Sequence, residues 1–160
     1  MEVKLTLALP RDAYSVPVAR RVLKSSLATL GVRDEVISDI ELALTEACTN
    51  VLDHAADTDE YELSAGIDGR VCVLEVIDRG AGFDGSLAGL ADAETTAEDG
   101  RGIQLMRSLV DRVTFTSRPA AGTVVHLEKQ LEWDEDAPVK RLDDEGATQH
   151  GPWSETAQRV

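Results

Sequence analysis

Residues 78–101 hold five glycines (Gly80, Gly82, Gly85, Gly89 and Gly100) and few large apolar side chains. An apolar run precedes them and a helical pattern follows. No other feature limits the fold as strongly. A structureless stretch of this length inside a compact domain is either a functional lid or a disordered insert. The fold must therefore set the end of a strand and the start of a helix on either side of a glycine-rich gap.

The flanking patterns supply the elements. Val3, Leu5, Leu7 and Leu9 alternate with polar residues, which predicts a half-buried strand over 2–9. Ser15 is expected to cap a helix with Pro17 in its first turn. Its apolar positions Val18, Val22, Leu23, Leu27 and Leu30 keep helical spacing, and Gly31 ends it. Asp34 is expected to cap a second helix with the stripe Val36, Ile37, Ile40, Ala43, Leu44, Ala47 and Val51, ending between His54 and Ala56. Residues 60–67 read as a strand, Asp68-Gly69 as a hairpin turn, and Val71 to Ile77 as a central strand. Residues 103–111 read as a third helix, and 113–117 with 123–131 as a final hairpin. Consecutive strands imply antiparallel pairing. The expected class is α+β, a mixed and mostly antiparallel sheet with three helices on one face.

Charge narrows the partners. The 160 residues carry a formal net charge of -14. Such a surface repels nucleic acid and anionic membranes, and equally serves plain solubility. An anionic ligand would need local backbone dipoles and a metal ion. Cys48 and Cys72 lack metal-like spacing and read as buried free thiols, which fits a reducing cytoplasm. The start Met1-Glu2-Val3-Lys4 opens no long apolar stretch, and no run reaches the ~18 apolar residues of a membrane span. From Glu132 on, eight acids stand against three bases among Pro, Gly, Ser and Gln. A domain over 1–131 is expected, followed by an acidic disordered tail over 132–160. Trp153 in that tail reads as either passively exposed or a docking anchor.

Three clusters carry chemistry. Glu46 and Asn50 lie four apart on the second helix, on one face. The carboxylate offers a base and the carboxamide a hard oxygen for Mg²⁺. Taken alone, such a pair also describes a solvated helix face. Asp78-Arg79-Gly80-Ala81-Gly82 follows the central strand. Its carboxylate can accept a hydrogen bond from an exocyclic amine such as adenine N6, and its glycines admit a ligand close to the backbone. Alone, it is also an ordinary turn. Gly80-x-Gly82-x-x-Gly85 matches a dinucleotide fingerprint literally, but no helix and second strand follow in the required places. The third cluster, Gly100-Arg101-Gly102-Ile103, opens the third helix, where free N–H groups and the helix dipole attract phosphate. It, too, is on its own compatible with a loop that binds nothing. No P-loop sequence occurs.

Order and spacing together say more than any one cluster. A Glu/Asn helix, a strand ending Asp-x-Gly-x-Gly, a lid, and Gly-x-Gly opening a helix resemble the GHKL ATPase superfamily with its Bergerat sandwich fold. The clusters match its N, G1 and G2 boxes, and Gly122-Thr123 adds a fourth match. Glu-Ala-Cys-Thr-Asn-Val-Leu-Asp-His-Ala with Gly-Arg-Gly-Ile-Gln-Leu-Met looks like the bacterial anti-sigma factor serine kinases, over residues 1–131.

The resemblance implies ATP and Mg²⁺ as cofactors. It makes Glu46 the catalytic base and Asn50 the metal ligand. Asp78 and Thr123 would face adenine, and Gly80, Gly82, Gly100, Gly102 and Ile103 would shape the phosphate cradle. Arg101 would either touch a phosphate or stand free on the lid. His54 reads as packed rather than catalytic. The implied partners are a sigma factor and a STAS-fold anti-anti-sigma protein, whose serine is phosphorylated. A homodimer is implied as well. Arg20 and Arg21 are expected to contact acidic partner surfaces, or simply to be solvated. Two alternatives stay open: a nucleotide-responsive binding module without phosphotransfer, and a serine kinase with targets other than sigma regulators.

Overall fold

The computed structural model describes residues 2–54, 59–78, 99–118 and 122–140. The elements run β1 (Glu2–Pro10), α1 (Ser15–Leu30), α2 (Asp34–His54), β2 (Glu60–Asp68), β3 (Val71–Asp78), α3 (Asp99–Leu109), β4 (Arg112–Arg118) and β5 (Gly122–Gln130). The third helix thus begins four residues earlier than its apolar pattern suggests and takes both glycines of the third cluster into its first turn.

The strands form one sheet in the order β1-β2-β3-β5-β4, and all four ladders are antiparallel. This corrects the expectation of a mixed sheet, among the described residues. The reason is topological. β4 runs parallel to β3, as a crossover through α3 requires, but β5 inserts between them and pairs with both. Two apolar rows cross the sheet on one face. One is Leu7, Leu63, Val76, Val125 and Phe115; the other is Leu5, Ala65, Leu74, Leu127 and Val113. Strand burial alternates accordingly, as expected for a sheet covered on one side.

The helices cover these rows. Ala19, Leu23 and Leu27 of α1, Ile37, Ile40, Leu44 and Ala47 of α2, and Ile103 and Met106 of α3 are buried in the same core. Each large side chain sealed there contributes about 1.5–3 kcal/mol. The opposite sheet face is polar at its centre, where His126 bonds to Glu75 and Glu128.

Two helix ends show how local sequence sets the geometry. At the start of α1, Ser15 is not the cap. Tyr14 occupies that position without a side-chain cap bond, and Ser15 is the first helical residue. Its hydroxyl is buried and bonds to the Tyr61 hydroxyl at 2.7 Å, a tertiary partner that outcompetes the local one. At the other end, Gly31 adopts φ 86°. Its N–H bonds to the Ala28 carbonyl and that of Val32 to the Leu27 carbonyl, the paired pattern of a Schellman ending.

The packed chain extends beyond residue 131, where sequence composition places the start of a tail. Val32 and Trp133 form a bridge. Arg33 N–H donates to the Glu132 carbonyl and Asp134 N–H to the Gly31 carbonyl. Ala137 and Val139 are buried. Trp133, Ala137 and Val139 are apolar residues spaced among acids, so the segment buries one side and leaves its charges in water. Residues 141–160, including Trp153, lie outside the described residues.

Candidate functional site

The helix α2 places Glu46 and Asn50 one turn apart, both half-buried. The first turn of α3 lies directly against them. A Cβ built on Gly102 would stand 2.8 Å from Glu46 Oε2 and 3.9 Å from Asn50 Oδ1. A side chain there would crowd Glu46 Oε2, while its distance to Asn50 Oδ1 is an ordinary contact. The two helices run antiparallel. At their other ends Lys129 Nζ donates to Asp39 Oδ2 at 2.8 Å and to the Leu109 carbonyl at 2.7 Å. Lys129 thereby ties the start of α2 to the end of α3, while Glu46 and Gly102 meet where α3 begins. The positive end of the α3 dipole therefore points to the place where Glu46 and Asn50 present oxygens.

Asp78 closes β3 and is the ladder partner of Thr123 on β5. With relative exposures of 2% and 6%, they are two of the few buried polar residues. Burying a carboxylate is costly unless it is paired or hydrogen-bonded. Among the described residues no buried side-chain nitrogen or oxygen lacks a partner.

The other expected site residues divide clearly. Gly100 and Arg101 sit in the first turn of α3, Arg101 exposed. The Ile103 side chain belongs to the core, so a ligand would meet its backbone. Gly80, Gly82 and the rest of residues 79–98 lie outside the described residues, as does the His54 side chain. Arg20 and Arg21 are both exposed on α1. Near them, Tyr14 and Val18 are also exposed, at 83% and 54%. Arg20 lines an open groove of about 460 Å³ together with Arg11, Val16, Thr49, Leu52 and Asp53.

Sequence reasoning missed Arg11. Its Nη2 donates to the Val51 and Leu52 carbonyls at 3.1 and 2.9 Å, in the last turn of α2. Nothing local flags it, because the contact spans about forty positions. A second missed group is the chain Ser15–Tyr61–Cys48 beneath α2. Burial pushes the Cys48 thiol up to about 12, against the smaller opposing effect of its hydrogen bond with Tyr61. Burial likewise pushes Cys72 to about 12. Both thiols are thus unreactive at neutral pH, in line with the sequence reading.

Among the described residues no three His, Cys, Asp or Glu side chains gather as a metal-holding group. No helix there is long and apolar enough to cross a membrane.

A family model for the histidine kinase-like ATPase domain matches residues 9–129. The serine-protein kinase RsbW of Halalkalibacterium halodurans is 30% identical over 154 residues, covering 91% of this chain and 93% of that protein. The anti-sigma F factor of Caldanaerobacter subterraneus subsp. tengcongensis is 31% identical over 143 residues, covering 82% and 93%. Among solved structures, the RsbU and RsbW domains of a Mycobacterium tuberculosis protein superpose with a TM-score of 0.63 at 23% identity, over 81% of this chain and 32% of that one, a likeness of fold. Over the span that carries Glu46, Asn50, Asp78, Gly102 and Thr123, this chain belongs to the histidine kinase-like ATPase domain family.

Proposed function

We propose that the chain is an ATP-dependent protein-serine kinase that acts as an anti-sigma factor by partner switching. It holds a sigma factor and phosphorylates a serine of a STAS-fold anti-anti-sigma protein, which releases that antagonist. One observation carries the chemical part. Glu46 Oε2 and Asn50 Oδ1 converge on the first turn of α3, over a Gly102 that leaves Glu46 room. A base and a hard-oxygen donor beside a helix N-terminus suit transfer of a phosphoryl group.

The donor set suits Mg²⁺, which takes few protein oxygens and keeps its remaining positions for water and phosphate. When bound, the ion would neutralise charge on the β- and γ-phosphates. Asn50 would hold it through Oδ1. Asp78 accepts a hydrogen bond from the adenine amine, with Thr123 beside it. Gly80, Gly82, Gly100, Gly102 and the Ile103 backbone cradle the phosphates, and Arg101 meets them from the first turn of α3. The serine Oγ bonds to the γ-phosphorus as the bond from that phosphorus to the bridging oxygen breaks. The hydroxyl proton passes to Glu46, and ADP leaves. Arg20 and Arg21 contact acidic partner surfaces, the protein works as a homodimer, and its compartment is the cytoplasm.

The test is incubation with γ-labelled ATP and a STAS-fold antagonist from the same genome. Label on the antagonist's serine is expected, and Glu46→Gln should abolish it while ATP still binds. Binding without transfer in the unaltered protein would replace the kinase by a nucleotide-responsive module. Transfer to proteins unrelated to sigma regulators would replace the partners.

A further inference from the structure

The last turn of a helix leaves four carbonyls without partners. In α2 these belong to the turn that begins one residue after Asn50. Arg11 supplies two of the missing partners, bonding the Val51 and Leu52 carbonyls through one nitrogen. Its charge also sits at the negative end of the helix dipole, where a cation is favoured. The arginine is itself fixed. Its backbone N–H donates to the Asp59 carbonyl at 2.8 Å, and the preceding Pro10 is in register with Glu60 at the start of β2. Arg11 therefore ties the end of α2 to the sheet through the β1–β2 edge.

We infer that Arg11 is a positioning residue for Asn50: by holding the Val51 and Leu52 carbonyls it keeps the end of α2 wound, and so keeps Asn50 Oδ1 aimed at the first turn of α3. The inference rests on the reading of Asn50 as the Mg²⁺ ligand. It concerns a residue outside the three motif clusters, on a different element from any of them. Without Arg11 two carbonyls lose a charged donor, the final turn frays, and the fraying begins next to Asn50. Glu46, a full turn earlier and packed beneath α3, is affected less. The expected signature is thus selective, with Mg²⁺ use impaired and nucleotide recognition through Asp78 preserved.

The experiment compares the full chain with Arg11→Ala and Arg11→Lys. A fluorescent ATP analogue is titrated with Mg²⁺ present and with EDTA, and Mg²⁺ is titrated at fixed analogue. Arg11→Ala should raise the Mg²⁺ concentration for half-maximal binding about tenfold, the scale of losing an outer partner of a metal ligand. Affinity in EDTA should stay unchanged. Arg11→Lys keeps the charge on a shorter side chain and should fall between; it also serves if the alanine variant does not fold. Amide hydrogen exchange should rise over residues 49–54 and not across the sheet. An unshifted Mg²⁺ midpoint in folded variants would overturn the inference, even with a lower melting temperature. If the unaltered protein itself binds the analogue without regard to Mg²⁺, the reading of Asn50 fails first, and this inference with it.

Discussion

Glu46 and Gly102 stand on different helices, yet a single methyl group on Gly102 would meet the Glu46 carboxylate at 2.8 Å. The obstacle is the far end of a flexible side chain, so the fold can yield by turning Glu46 aside. Alanine also favours a helix over glycine by roughly 0.5–1 kcal/mol. Gly102→Ala should therefore leave the melting temperature unchanged or slightly higher. Phosphotransfer should fall by about tenfold or more, because a misplaced base loses its geometry. Parallel thermal melts and transfer assays check this separation. A variant that keeps full transfer would show that the carboxylate's position does not matter.

Asp78 carries the adenine contact in the proposed reading. Asp78→Asn keeps the size of the side chain but removes its charge, and one acceptor oxygen becomes a donor. A hydrogen bond to a charged group contributes about 1.5–3 kcal/mol, so ATP affinity should drop at least about tenfold. Calorimetric titration of the folded variant measures the drop. Equal affinity would move the adenine elsewhere.

Glycine at position 31 meets two separate demands. Its φ of 86° is left-handed, and an added Cβ would stand 2.6 Å from Ala137 Cβ and 2.7 Å from Ala137 Cα. The backbone alone costs a non-glycine residue roughly 1–2 kcal/mol, and overpacking adds roughly 1–3 kcal/mol. Gly31→Ala should lower stability by about 2–5 kcal/mol, read as the shift in urea midpoint times an unchanged slope. A loss under half that size would mean that the Ala137 segment moves away freely.

His126 gives the sheet a pH-dependent tie. Partial burial opposes its charge, but hydrogen bonds to Glu128 and Glu75, with the charge of both, outweigh it and raise its pKa. The folded state therefore prefers the imidazolium. This stability is fully present below the unfolded value of 6.5 and is lost as pH rises through the raised folded value. Urea midpoints of the unaltered protein should fall between mildly acidic and mildly alkaline pH, and His126→Gln should flatten that fall. An equal slope in both proteins would assign it to other groups.

Much of this fold was legible because its signals are local. The alternation of β1, the apolar run of β3, the stripe of α2 and the stop at Gly31 all follow from neighbours in sequence. Of the candidate site, the shared helix face of Glu46 and Asn50 was legible, because the two lie four apart on one helix. What escaped depends on distant partners. Ser15 reads as a cap until Tyr61 is known to lie above it. Arg11 carries no pattern of its own. Residues 132–140 were hidden by composition, since their acids outnumber the few apolar residues that decide their packing. The insertion of β5 between β3 and β4, which makes every ladder antiparallel, is a choice of topology that strand patterns do not record.

The contact between Gly31 and Ala137 links chain length to residue identity. A relative that ends before this segment is freed from the steric demand and keeps only the conformational one. Asparagine, the other residue that tolerates left-handed backbone at helix ends, becomes acceptable there. In this chain Ala137 and Pro138 exclude it. An asparagine at the helix end should therefore mark relatives without the packed segment, whereas glycine fits either kind. A substitution pattern at one position would report on the presence of an element far along the chain.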